Sequence, residues 1–168
     1  MNGFDLQNRP ILYLKLGNKK MFSIDNENKL KYLIFINLKA LSLSKTKKLT
    51  YIIDLSVNLF HFFNNFLKNC SLLNLDGSWI EMVFSIFQNH FPNTLGSVHV
   101  VNYPSSISNF WNLISVGLND EIKQKIKFSK LKDLNEIVDK DQLEKDYGGK
   151  SKFKLDQQIF KEFILQIN

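Results

Sequence analysis

The chain has 168 residues, 44% of them hydrophobic and 13% aromatic, enough to bury one substantial core and to argue for one main domain. Its net charge of +6 is almost all lysine, which lacks the bidentate fork of arginine and argues against base-specific nucleic-acid readout, while fitting general solubility or a weak attraction to anionic membrane surfaces. A single cysteine, Cys70, excludes a disulfide framework and a cysteine metal site, and the fifteen phenylalanines fit either dense packing or an aromatic-lined cavity.

The opening MNGFDLQNRP has no apolar signal core, and no run is long enough to span a bilayer, so a cytoplasmic protein is expected. Ile11 to Leu16 reads as a first strand with Gly17-Asn18 as its exit turn. A lone glycine there, without G-x-G-x-x-G or G-x-x-x-x-G-K, gives no phosphate cradle. Ser23 can cap a helix reaching about Leu41, with Leu30, Leu33, Ile34, Leu38 and Leu41 on one stripe. A polar, lysine-rich connection, Ser42 to Lys48, follows. Leu49 to Leu55 is a near-continuous apolar run, as in a strand covered on both faces. Asp54 near its end has no carboxylate or histidine close in sequence to tune it, which makes it a structural acid.

Val57 to Leu67 places Leu59, Phe62, Phe63 and Phe66 on one helical face, and Asn74 to Gly77 is a turn. Ser78 to His90 is the strongest amphipathic helix, with Trp79, Met82, Val83, Ile86 and Phe87 inward. Phe91-Pro92 ends it. Ser97 to Asn102 is a buried strand, Tyr103-Pro104 breaks it, and Ser105-Ser106 offers a cap for a helix bearing Phe110 and Trp111. That helix breaks at Gly117, and Asn119 or Asp120 can cap a short successor before a strand at Ile126 to Phe128. Leu131 to Val138 reads as a short helix. Residues 153–168, with Leu155, Ile159, Phe163, Ile164 and Ile167 in phase, read as a C-terminal amphipathic helix appended to a domain over residues 1–152. Alternating helices and strands predict an α/β domain with a mainly parallel sheet and helices on both sides.

His61, His90 and His99 are isolated, no G-x-S-x-G elbow is present, and no carboxylates cluster, so a non-catalytic protein without metal or cofactor is expected.

Five phrases recur in one order: Asn8-Arg9-Pro10 before the first strand and Leu16-Gly17 after it; Ile52-Ile53-Asp54-Leu55-Ser56; Phe91-Pro92 with Leu95-Gly96 and Asn102-Tyr103-Pro104 ahead of Trp111; Lys125-Ile126; and Leu143 with Tyr147-Gly148-Gly149. This order resembles the CRAL-TRIO lipid-binding domain of the phosphatidylinositol-transfer proteins and of the tocopherol and retinaldehyde carriers. The resemblance spans Arg9 to Gly149. It departs at Glu144, where the family has proline, and at Asn93 and Thr94, where the phosphatidylinositol-transfer branch has glutamate and arginine.

The resemblance implies a three-layer domain whose sheet floors an apolar pocket, closed by a movable helical gate around Gly117 to Ile126, with Gly117 as hinge. It implies a bound lipid, either a phospholipid or a small lipophile, and transient peripheral membrane contact. Lys125 matches the family's headgroup lysine. The expected pocket residues are Tyr13, Phe60, Phe87, Val101, Phe110, Trp111 and Leu118. Lys123, Lys127 and Lys130 are expected at the membrane surface. An alternative is a protein-interaction module with a degenerate pocket, motivated by Asn93 and Thr94.

Overall fold

The computed structural model describes residues 3–15, 26–56, 86–103, 105 and 107–152. The expected helices within 57–85 and 153–168, the cap at Ser23, and Phe60 lie outside them.

Among the described residues four strands form one sheet: β1 (Ile11–Lys15), β2 (Leu49–Asp54), β3 (Leu95–Val101) and β4 (Ile126–Phe128). They lie in the order β1-β2-β3-β4, and all three pairings are parallel. A parallel pair needs a long crossover, so the chain between successive strands must return to the same end of the sheet. The first crossover carries α1 (Asn26–Leu43). The third carries α2 (Ile107–Ile114), a 3-10 turn at Ser115–Gly117 and α3 (Asp120–Lys125). Asn119 caps α3, its side chain accepting from the Ile122 amide at 2.9 Å. The α/β class and parallel sheet expected from the sequence are those observed.

Strand alternation divides the buried side chains between the two faces. On the first face Leu12, Leu49, Tyr51, Leu95, Val98 and Val100 pack with Ala40 of α1 and with Leu118 and Ile122 of the third crossover. On the second, Ile11, Tyr13, Ile52 and Val101 pack beneath Leu134, Val138, Leu143 and Tyr147. That second cover is chain in tight turns, with 3-10 segments at Leu131–Glu136 and Lys145–Tyr147. The predicted helix at Leu131 to Val138 is 3-10 instead. Asp133 takes the Lys130 amide and Asn135 donates to the Lys132 carbonyl, side-chain bonds that favour short turns over an α-helical ladder.

Gly96 keeps the faces in phase. Leu49 pairs with Leu95 but Thr50 pairs with Ser97, so Gly96 is an inserted residue, and the bulge leaves both Leu95 and Val98 on the first face. A Cβ there would lie 2.7 Å from the Arg9 side chain and 2.9 Å from the Leu49 carbonyl oxygen.

Helix α1 is rotated relative to the expected stripe. Leu38 is 56% exposed, whereas Leu33, Asn37 and Ala40 are buried. The cause is Asn37. Its amide donates to the Leu33 carbonyl at 2.7 Å, and its oxygen accepts from the Tyr51 hydroxyl. A buried polar pair satisfied in this way fixes which side of the helix faces the sheet.

His99, on the second face, is buried and shares a 2.9 Å hydrogen bond with the Ser129 hydroxyl. Burial first, then the charges of Lys127 and Arg9, push its imidazole down to about 4, against the opposing pull of Asp5. Because the folded value is below the unfolded one, the native state resists protonation. Stability is therefore full above about pH 6.5 and is lost as pH falls towards 4. A loss of roughly 1–3 kcal/mol across that window is expected. Urea midpoints for wild type and His99→Asn should converge on acidification; parallel pH profiles would refute the assignment.

Candidate functional site

Aromatic side chains cross the first face of the sheet. Phe87 meets Tyr51 edge-on at 5.4 Å and Phe91 at 6.1 Å. Farther along, Phe128 is met edge-on by Tyr103 and by Trp111, each at 5.4 Å. Leu118 and Ile122 are buried beside them. The chain over this face is α2, the Ser115–Gly117 turn and α3. Val116, in the turn, is 84% exposed. The Gln88 side-chain amide reaches the Gly117 carbonyl at 3.4 Å. A Cβ at Gly117 would meet nothing within 4 Å among the described residues, so packing does not demand glycine at the break between the helices.

Charge gathers where the strands begin. Lys125 immediately precedes β4, its side chain is 21% exposed, and its ammonium bonds Glu121 one turn earlier at 2.5 Å. That bond, with the charge of Lys125 and, more weakly, of Lys48, holds the Glu121 carboxyl below the usual carboxylate range. Lys48 immediately precedes β2. There the Leu49 amide bonds the Thr94 carbonyl at 2.8 Å, which aligns the starts of β2 and β3. Asn93 has a positive φ of 60°, and the Thr94 hydroxyl donates to the Phe91 carbonyl at 2.8 Å. The two positions where the resemblance calls for glutamate and arginine are therefore neutral and part of a turn.

The structure brings Phe87, Trp111 and Leu118 to one face and places Tyr13 and Val101 on the other, in the core with Tyr147. Tyr13 and Val101 are thus separated from their expected companions by strand parity: Leu12 and Val100, one residue away, are the ones on the face that Trp111 packs against. Phe110 lies in α2, but its side chain is outside the described residues. Tyr51, Val98, Val100 and Phe128 join this face without having been singled out in the sequence, and alternation within each strand, from Leu49 to Tyr51, Val98 to Val100 and Ile126 to Phe128, is the signal that finds them. The lysines also divide. Lys123 pairs with Asp120 at 3.3 Å, Lys127 is exposed and in register with His99 on the second face, and Lys130 is exposed at the following turn.

Asp54 anchors the opposite end of the sheet. It accepts from the Ser56 amide at 2.8 Å, the Asn102 amide at 2.9 Å and the Tyr147 hydroxyl at 3.0 Å. Burial pushes its carboxyl up, but the bonds from Asn102, Ser56 and Tyr147 outweigh it and hold the group below its ordinary value. Tyr147 stacks on Tyr13 at 5.2 Å, and Lys15 lies 5.3 Å from the Tyr147 ring centre. Lys15 pairs with Asp146 at 2.8 Å and Glu144 at 3.5 Å. Glu144, in the family's proline position, is buried at this clasp.

A separate depression of about 330 Å³ is lined by Phe4, Asp5, Leu6, Asn8, Asp139 and Gln142. Among the described residues no three His, Cys, Asp or Glu side chains form a metal cluster, and no helix is long and apolar enough to cross a membrane.

Comparison with known proteins places this architecture. The phosphatidylinositol transfer protein CSR1 of Eremothecium gossypii is 29% identical over 91 residues, 54% of this chain and 21% of that protein. A CRAL-TRIO domain-containing protein of Schizosaccharomyces pombe is 22% identical over 148 residues, 88% of this chain and 31% of the relative. The crystal structure of Sfh5 matches with a TM-score of 0.67 at 23% identity, over 90% of this chain and 54% of the other. The chain thus spans less than a third of these curated relatives and about half of the solved structure. The CRAL/TRIO domain model matches residues 1–149, and the parallel sheet, the capped helix before Lys125-Ile126 and the Tyr147-Gly148-Gly149 clasp fit that match: the chain belongs to the CRAL/TRIO domain family.

Proposed function

We propose that the domain binds and exchanges a hydrophobic ligand, a phospholipid or a small lipophile, between the aromatic face of the sheet and the segment from α2 to α3. The observation that carries this reading is the row of Phe87, Tyr51 and Phe128, joined by Trp111 of α2, beside chain interrupted at Gly117, where a Cβ would meet nothing within 4 Å among the described residues. The backbone freedom of that residue suits a hinge, and the exposed Val116 gives the segment an apolar tip. Each methylene of an acyl chain gains about 0.8 kcal/mol on burial, so separating this segment from the sheet would create a site that needs no catalytic chemistry. Lys125 would meet the phosphate of a phospholipid. The transfer of phosphatidylinositol named for the CSR1 relative supports a phospholipid ligand.

Native mass spectrometry of freshly purified protein, followed by lipid extraction, tests the reading. A co-purifying lipid is expected. Lys125→Gln should lower phospholipid uptake from vesicles roughly tenfold, since a charge-assisted bond is lost, and leave small neutral lipophiles unaffected. Protein that is empty on purification and takes up no lipid from vesicles would refute it. Asn93 and Thr94 are neutral where the phosphatidylinositol branch is charged, which favours a second reading, a protein-interaction module. One stoichiometric protein partner, bound identically with and without lipid, would support that instead.

A further inference from the structure

Lys125 already has an anion. In a site that receives phosphate, a lysine bonded to the carboxylate one turn away must exchange partners when ligand arrives. Glu121 is therefore part of any headgroup site, and its charge bears on which headgroup fits.

Among the described residues, the ammonium groups of Lys125 and Lys48 are the cations that act on the Glu121 carboxylate. Thr94 and Asn93 add no charge, and the Thr94 hydroxyl is committed to the Phe91 carbonyl. Helix α3 packs on β3, which holds Glu121 and Lys125 near the aligned starts of β2 and β3. An inositol headgroup brings only negative charge. Its phosphate would compete with Glu121 for Lys125, and the displaced carboxylate would repel it. A zwitterionic headgroup brings a charge for each. Its phosphate can take the lysine while its amine takes the place of that lysine on the carboxylate.

We propose that Lys48, Glu121 and Lys125 form a selectivity subsite for a phospholipid headgroup carrying a primary amine, the phosphodiester meeting the two lysines and the amine meeting the Glu121 carboxylate. This rests on the phospholipid-carrier reading. A primary ammonium donates hydrogen bonds to a carboxylate, whereas the quaternary ammonium of choline has no N–H to give. The subsite therefore separates ethanolamine from choline by hydrogen bonding, and ethanolamine from inositol by charge.

The test compares uptake of pyrene-labelled phosphatidylethanolamine, phosphatidylcholine and phosphatidylinositol from neutral vesicles. Wild type is expected to prefer the ethanolamine lipid to the choline lipid by about fivefold or more, the scale of one charge-assisted bond. Glu121→Gln preserves side-chain shape at a position 59% exposed. It should abolish that preference and raise inositol lipid uptake. Lys48→Gln should weaken all three about threefold or more. An unchanged ethanolamine-to-choline ratio in Glu121→Gln, an equal fall for all three lipids in that variant, or unaltered uptake in Lys48→Gln would overturn the subsite while leaving the carrier reading intact. Wild type that takes up none of the three lipids would overturn both.

Discussion

Replacing Asp5 with alanine is expected to destabilise the fold by about 3–5 kcal/mol, because it strands a largely buried guanidinium. Asp5 is 4% exposed and accepts four hydrogen bonds. The amides of Gln7 and Arg9 donate at 2.9 Å, and Arg9 Nε and the Thr50 hydroxyl donate at 2.6 Å. Arg9 extends the network to the Ser97 hydroxyl at 3.3 Å. One carboxylate thus shapes the turn before β1 and joins it to two strands. A double-mutant cycle with Arg9→Met, read by urea unfolding, isolates the pair: the double variant should be much less destabilised than additivity implies. A loss below about 1 kcal/mol for Asp5→Ala would show that the network is incidental.

Gly149→Ala is expected to cost about 3 kcal/mol or more by overpacking against backbone. A Cβ there would lie 1.9 Å from the Leu143 carbonyl oxygen, which accepts from the Ser151 amide at 3.0 Å. Neither side can yield without opening the clasp that carries Tyr147 onto Asp54. Gly148 is a different case. It sits at a left-handed φ of 88°, and a Cβ there would meet nothing within 4 Å among the described residues, so Gly148→Ala should cost only about 1 kcal/mol. Thermal unfolding of the two variants separates the mechanisms, and equal shifts would contradict the packing argument.

Much of this was legible in the sequence, and what was not has particular causes. The apolar runs at Ile11, Leu49 and Val98 are strands because they are covered on both sides, and the Asn119 cap follows from local chemistry alone. Partner choice is another matter. Arg9 was visible as part of a motif, but Ser97 is 88 residues away, and no local pattern announces that bond. Tyr147 likewise finds Asp54 across 93 residues. Proximity to the matched motifs groups Tyr13 and Val101 with Trp111, yet a shift of one position in a strand exchanges faces. Glu121 could have been found: a carboxylate four residues before a lysine on a short helix is a recognisable ion pair. Its proposed bearing on ligand choice depends on Lys48 and the neutral Thr94 turn, which only the fold brings to neighbouring strand starts.

The unlike covers on the two faces of the sheet have a consequence for biosynthesis. The first and third crossovers lay α1, α2 and α3 on the first face as they are made, so that side can assemble strand by strand. The second face depends on residues 131–151, which follow all four strands in sequence and which also tie back to the N-terminal turn through the Leu6 amide and the Ile137 carbonyl at 2.8 Å. A chain emerging from the ribosome therefore holds Ile11, Tyr13, Ile52 and Val101 bare until the Leu134 to Tyr147 stretch clears the exit tunnel. At about 5–20 residues per second, this interval is when the domain is most open to aggregation and most in need of a chaperone.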